Sequence, residues 1–169
     1  VAVERRLVEF EPDDTAEAEA IVAAVCRGEG WVNIEPVLDT DEVEALQRSQ
    51  PSALVRLFSG KGRPLPFASL VPGDAAKAGR PPNPLQLGLE HPAGPRAVAT
   101  LRERGVVLPE GWAVRQDHPK RGLVLDVPPA ESPERILAWV LAAAVVLGDL
   151  QAAWFGGRPL WSAVHHRQS

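Results

Sequence analysis

The residues able to do chemistry are few: His91, His118, His165 and His166, the single cysteine Cys26, and a Gly60-Lys61-Gly62 triplet. Adjacent His165 and His166 point to opposite faces if they lie on a strand, so both reach one metal only in an irregular tail. No HExxH pair is present, and one cysteine excludes a Cys-rich zinc site. Asp117 beside His118 has the makings of an acid–base pair, but turn chemistry next to Pro119 accounts for Asp equally well. Gly60-Lys61-Gly62 lacks the rest of a Walker phosphate loop: Val55 stands where its first glycine belongs, and Gly62 where its Ser or Thr belongs. Cys26 falls near the C-terminal end of an expected helix, where the dipole disfavours a thiolate. Neither a GxSxG elbow nor a GxGxxG turn occurs. The sequence therefore assigns no catalytic, cofactor-binding or metal-ligating residue and implies no cofactor.

The elements that would position these groups follow from periodicity and punctuation. A strand around 6–10 leads into a helix over 15–27, with Asp14 and Glu17 at capping-box spacing and Gly28 as its stop. Ala18, Ile21, Val22 and Val25 form its apolar stripe. Residues 31–38 read as extended, and Asp39 with Glu42 repeats the capping pattern before a short helix over 40–49. Strands are expected at 53–58, 66–71 and 85–89, with a Pro/Gly-rich surface loop at about 72–84. A helix over 95–104 begins at Pro95 and ends before Gly105. Segments 112–116 and 122–127 form a hairpin with a five-residue connection, placing Leu123, Leu125 and Val127 on one face. Ser132 caps the next helix and Pro133 occupies its first position. That helix extends at least to Leu147, with Gly148-Asp149 as a break or a tolerated interruption, and 160–166 is a final strand or a tail.

Composition bounds the class. With 169 residues, 45% of them apolar, the chain suits one domain over 1–169 that buries roughly two-thirds of its unfolded surface. The net charge of −4 hides an acidic first third and a mildly basic remainder. The basic excess is too diffuse for a nucleic-acid stripe. The longest apolar run, residues 136–147, falls well short of the ~20 residues of a membrane span. A lone cysteine fits a reduced, cytoplasmic protein, and the abundance of Ala, Val, Arg, Pro and Gly fits a GC-rich bacterial genome.

Residues 136–147 carry no charged or amide side chain on any face, so this helix needs cover around nearly its whole circumference. A central core position supplies that cover, and so does a homodimer or a bound protein segment. Trp139, Leu141, Trp154, Phe155 and Trp161 are the candidate partner-binding or dimer residues, because bulky aromatics are common interface anchors.

The order helix, extended segments with a short extra helix, helix, hairpin, apolar helix resembles that of the small α+β chaperones of type III secretion and the related YbjN-like proteins. The likeness lies in residues 112–154: a hairpin whose second strand is Gly122-Leu123-Val124-Leu125, then a long apolar helix ending near a Trp. The resemblance implies a homodimer that binds a protein segment without catalysis. The expected fold is α+β, a mainly antiparallel sheet with helices packed on it and a long apolar helix following a C-terminal hairpin. The expected function is a non-enzymatic protein-interaction module of a chaperone-like kind, with no nucleic-acid or membrane partner. The alternative is a small enzyme or ligand-binding protein with a pocket near the 59–64 and 117–121 loops.

Overall fold

Alternating apolar and polar residues build the strands, and every strand pairing among the described residues is antiparallel. A computed structural model describes residues 2–49, 64–74, 79, 81–154 and 157–168. The expected strand at 53–58, the Gly60-Lys61-Gly62 loop and Phe155 lie outside the described residues. The elements run β1 (Val3–Phe10), α1 (Ala16–Cys26), β2 (Trp31–Val37), α2 (Thr40–Ser49), β3 (Phe67–Val71), β4 (Leu85–Glu90), α3 (Ala97–Glu103), β5 (Ala113–His118), β6 (Gly122–Val127), α4 (Pro133–Gly148) and β7 (Leu160–Gln168). The seven strands among the described residues form one sheet in the order β1-β7-β2-β3-β4-β6-β5. The protein is thus α+β, as the sequence led one to expect.

The last strand does not trail from the sheet. It inserts between β1 and β2, pairing Leu7 with Val164 on one side and Asn33 with Val164 on the other. Gly30 permits this closure: a Cβ there would lie 1.9 Å from the His166 carbonyl oxygen, and its φ is +80°. An L side chain fits neither the space nor the left-handed backbone.

Two helix starts follow the sequence closely. Asp39 and Glu42 exchange bonds reciprocally, Asp39 N donating to Glu42 Oε2 (2.9 Å) and Glu42 N to Asp39 Oδ1 (2.8 Å). At α4, Ser132 Oγ accepts from Arg135 N at 3.1 Å, with Pro133 opening the helix. The start of α1 differs from the expected capping box. The turn closed by Asp14 N and Glu11 O leaves Thr15 as the N-cap, without a side-chain cap bond. Its hydroxyl donates instead to Glu19 Oε1 at 2.6 Å. The C-terminal hairpin is also tighter than expected. Strand β5 runs through His118, whose Nδ1 accepts from Lys120 N and Arg121 N, so only residues 119–121 connect the strands.

One face of the sheet carries the core. Val8, Phe10, Val32, Ile34, Ala68, Leu70, Leu85, Leu87, Leu89, Leu123, Leu125, Val127, Trp161 and Ala163 are all buried there. Helix α1 packs across β1, β7, β2 and β3, while α4 lies against α1 on one flank and α3 on the other. The cover that α4 requires therefore comes from within the chain. Of its apolar residues only Ala138 and Ala142, one turn apart, face outward as exposed. Helix α2 packs against the 3-10 turn Leu150–Ala152 that follows α4. No helix among the described residues is long and apolar enough to cross a membrane.

Candidate functional site

The opposite face of the sheet is built differently. Of its side chains in the described strands, only Ser162 is buried; the rest are exposed or half-exposed. Register places one residue from each of the seven strands in a single transverse row: Leu7, Val164, Asn33, Ser69, Gly88, Val124 and Gln116. Beside it lie Arg5, His166 and Trp31, and on its other side Glu9, Ser162 and Glu35. The face thus grades from a basic and aromatic border at one end of β1, β7 and β2 to an acidic one at the other.

Fifth in the row, between Ser69 and Val124, Gly88 contributes no side chain. A Cβ there would meet only the Ser69 carbonyl oxygen at 3.9 Å, an ordinary contact. Its backbone does not demand glycine, so the consequence of this residue is a low point between Ser69 and Val124 on a surface otherwise bristling with side chains.

The polar groups around that low point form a short chain. Ser69 Oγ donates to Asn33 Oδ1 at 2.8 Å, and Asn33 Nδ2 lies 3.1 Å from His166 Nε2. Because the amide NH₂ can only donate, Nε2 accepts and the imidazole proton sits on Nδ1. The His166 ring stacks on Trp31 with centroids 4.9 Å apart and planes 4° from parallel. Partial burial, with Arg5 and His165 nearby, holds His166 below its ordinary pKa. The arrangement is not a nucleophile with its base. The Ser69 proton points to an amide oxygen, and the histidine spends its lone pair on the same amide. Its chemistry is that of a neutral, pre-ordered hydrogen-bonding surface next to an aromatic platform. A groove of about 530 Å³ adjoins this platform, bordered by Trp31, Val71, Pro72 and Arg167.

The histidines singled out by sequence are dispersed. His165 turns to the helix side, where its Nε2 donates to the Glu29 carbonyl at 2.6 Å, while His166 turns to the uncovered face. His118 caps the hairpin turn. Asp117 points away from it and accepts from Ala97 N (3.0 Å) and Val98 N (3.1 Å), capping α3 from a neighbouring strand. The two do not form an acid–base pair. His91 is fully buried; its Nδ1 accepts from Ala93 N at 3.3 Å and its Nε2 has no partner among the described residues. Burial pushes its pKa down, against a smaller opposing pull from Asp117. Burial likewise pushes the Cys26 thiol up, which favours the unreactive form. Among the described residues, no group of His, Cys, Asp and Glu could hold a metal ion.

Trp139, Leu141, Trp154 and Trp161 all sit inside the chain, each less than one-tenth exposed. Trp139 donates to the Val107 carbonyl (3.1 Å) and tilts against Trp112, and Trp154 meets Trp161 edge-on at 5.3 Å. Trp139 thus ties α4 to the segment before β5, and Trp154 ties the turn after α4 to β7. The row on the uncovered face escaped the sequence reading because its members are up to 157 residues apart and none belongs to a motif. The available signal was the alternation Trp31-Val32-Asn33-Ile34-Glu35, which assigns Asn33 to the side away from the core. No protein-family model, no curated protein and no solved structure matches this chain.

Proposed function

We propose that the protein is a non-enzymatic interaction module, chaperone-like in mode, that seats a segment of a partner protein across the uncovered face of its sheet. The observation that carries this reading is the seven-strand row from Leu7 to Gln116, with the low point at Gly88 and the Trp31–His166 platform beside it. A partner backbone can approach closely at Gly88, hydrogen-bond to Ser69 and Asn33, and lay an apolar side chain on Trp31. Both borders carry charge, which would set the direction of the segment. The resemblance to small α+β secretion chaperones supports the same reading, and the lone Cys26 suits a cytoplasmic setting.

The test is capture of partners by the tagged full chain from its native cells, compared across surface variants. Trp31→Ala and Val124→Lys should lose the captured protein while melting within a few degrees of wild type. Ala142→Lys, on the exposed helix stripe, should keep it. Loss with Ala142→Lys alone, or equal capture by all four proteins, contradicts the reading.

A further inference from the structure

Strand β1 forms one edge of the sheet: among the described strands it pairs only with β7. It is eight residues long, its pairing with β7 runs unbroken from Val3 to Phe10, and it contains no proline. Natural edge strands of this length are normally interrupted, shortened or covered, because their free N–H and C=O groups invite another strand. On its uncovered face, Leu7 is 62% exposed and is flanked two residues away on each side by exposed Arg5 and Glu9. Neither charge forms an ion pair with a described residue.

We infer that β1 is a self-pairing edge and that its occupant is β1 of a second copy of this chain. An antiparallel pair about a two-fold axis through Leu7 sets Leu7 against its own copy. The same register sets Arg5 against the second copy's Glu9, and Glu9 against its Arg5. Side chains directly opposite in an antiparallel pair share a face, so both ion pairs and the apolar contact fall together on the uncovered side. Shifting the two-fold to Arg6 sets that arginine against itself and Glu9 against Val3. Shifting it to Val8 sets Leu7 against Glu9 and leaves Arg5 opposite Glu11, which lies past the strand and already pairs with Arg158. A two-fold midway between residues would oppose side chains that point to opposite faces, which the antiparallel pleat does not accommodate. The charge order of β1 is therefore complementary to itself in one register and discourages its neighbours. The result is an isologous dimer in which two seven-stranded sheets become one continuous sheet, doubling the uncovered face.

The inference does not rest on the proposed function. A dimer that captures nothing, or a monomer that captures a partner, separates the two. The experiment is sedimentation velocity on the full chain from dilute to concentrated solution. The mass should rise from one to two chains of 18.2 kDa. Arg5→Glu and Glu9→Arg should each weaken association by ~10-fold or more, since each replaces two attractions with two repulsions in the symmetric pair. The combined Arg5→Glu/Glu9→Arg chain should return to within ~3-fold of wild type, because both pairs are restored with reversed sign. The rescue also answers any concern that a single variant merely misfolds. A monomer at every concentration, single variants that associate as wild type does, or a double variant as weak as the singles each overturns the inference.

Discussion

The two faces of the sheet are made by the same strands yet obey different rules. In β6, Leu123, Leu125 and Val127 are fully buried under the helical layer, while Val124 and Asp126, their chain neighbours, are half-exposed on the other side. The buried part of the covered face is wholly aliphatic and aromatic, with polar residues such as Glu4, Arg6 and His165 only toward its margin. The uncovered face mixes Asn33, Ser69, His166, Gly88 and charged residues at its borders. Antiparallel sheets commonly divide in this way, one side for the core and one for solvent. The difference teaches that residues holding the fold and residues free to serve a function are separated here by a single step along the chain.

The sharpest way to break that comparison is to truncate adjacent residues of β6. Leu125→Ala should destabilise the protein by about 2–5 kcal/mol, the cost of lost burial plus a residual cavity. Val124→Ala should cost about 1 kcal/mol or less. Urea unfolding of the two variants measures both. Equal costs would mean that the second face is covered as well.

Gly30→Ala comes next. Its Cβ would collide with the His166 carbonyl, and its left-handed φ adds strain, so β2 and β7 must part where Trp31 meets His166. A loss of about 1–3 kcal/mol is expected, together with a shift in Trp31 fluorescence. A variant as stable as wild type would show that the strand ends are less closely joined.

The covered side also buries a titratable group, and its pH dependence has a definite sign. His91 is held neutral by burial, whereas an unfolded histidine protonates near 6.5. Below about that pH the unfolded chain takes up a proton that the folded chain refuses. Stability is therefore complete above about 6.5 and falls as the pH drops toward the folded value. His166, also held down, adds to the slope in the same direction. His91→Gln should flatten the acid side of a stability–pH curve, and an unchanged curve would remove His91 as its source.

The smallest stability effect is expected at the low point of the uncovered face. Gly88→Ala meets no clash and replaces a residue that weakens strands, so stability should change by less than ~1 kcal/mol, toward stabilisation. Partner capture should nonetheless fall, because the added methyl fills the approach. Undiminished capture would shift the docking surface away from Gly88.

What could be read in advance was local. Asp39 with Glu42, Ser132 with Pro133, and the alternation at Leu123, Leu125 and Val127 each operate within a few residues, where side-chain chemistry and backbone geometry are coupled directly. The α1 stripe of Ala18, Ile21, Val22 and Val25 was legible for the same reason and is buried throughout. The insertion of β7 between β1 and β2 was not, since nothing in Leu160-Trp161-Ser162 names a partner so distant in the chain. Asp117 illustrates the same limit. Turn chemistry accounts for an Asp near Pro119, but its carboxylate caps a helix twenty residues earlier, which only the tertiary fold brings within reach. The candidate surface was invisible for a related reason. It consists of a face, and a face exists only once strand order and register are set.

The most direct measurement is photo-crosslinking in cells from matched positions on the two sides of the molecule. A photoreactive phenylalanine analogue placed at Val124 or Val71, on the uncovered face, should attach to a partner protein. The same residue at Ala138 or Ala142, on the exposed stripe of α4, should not. Attachment from the helix positions alone, or from neither set, would contradict the division of labour between the two faces.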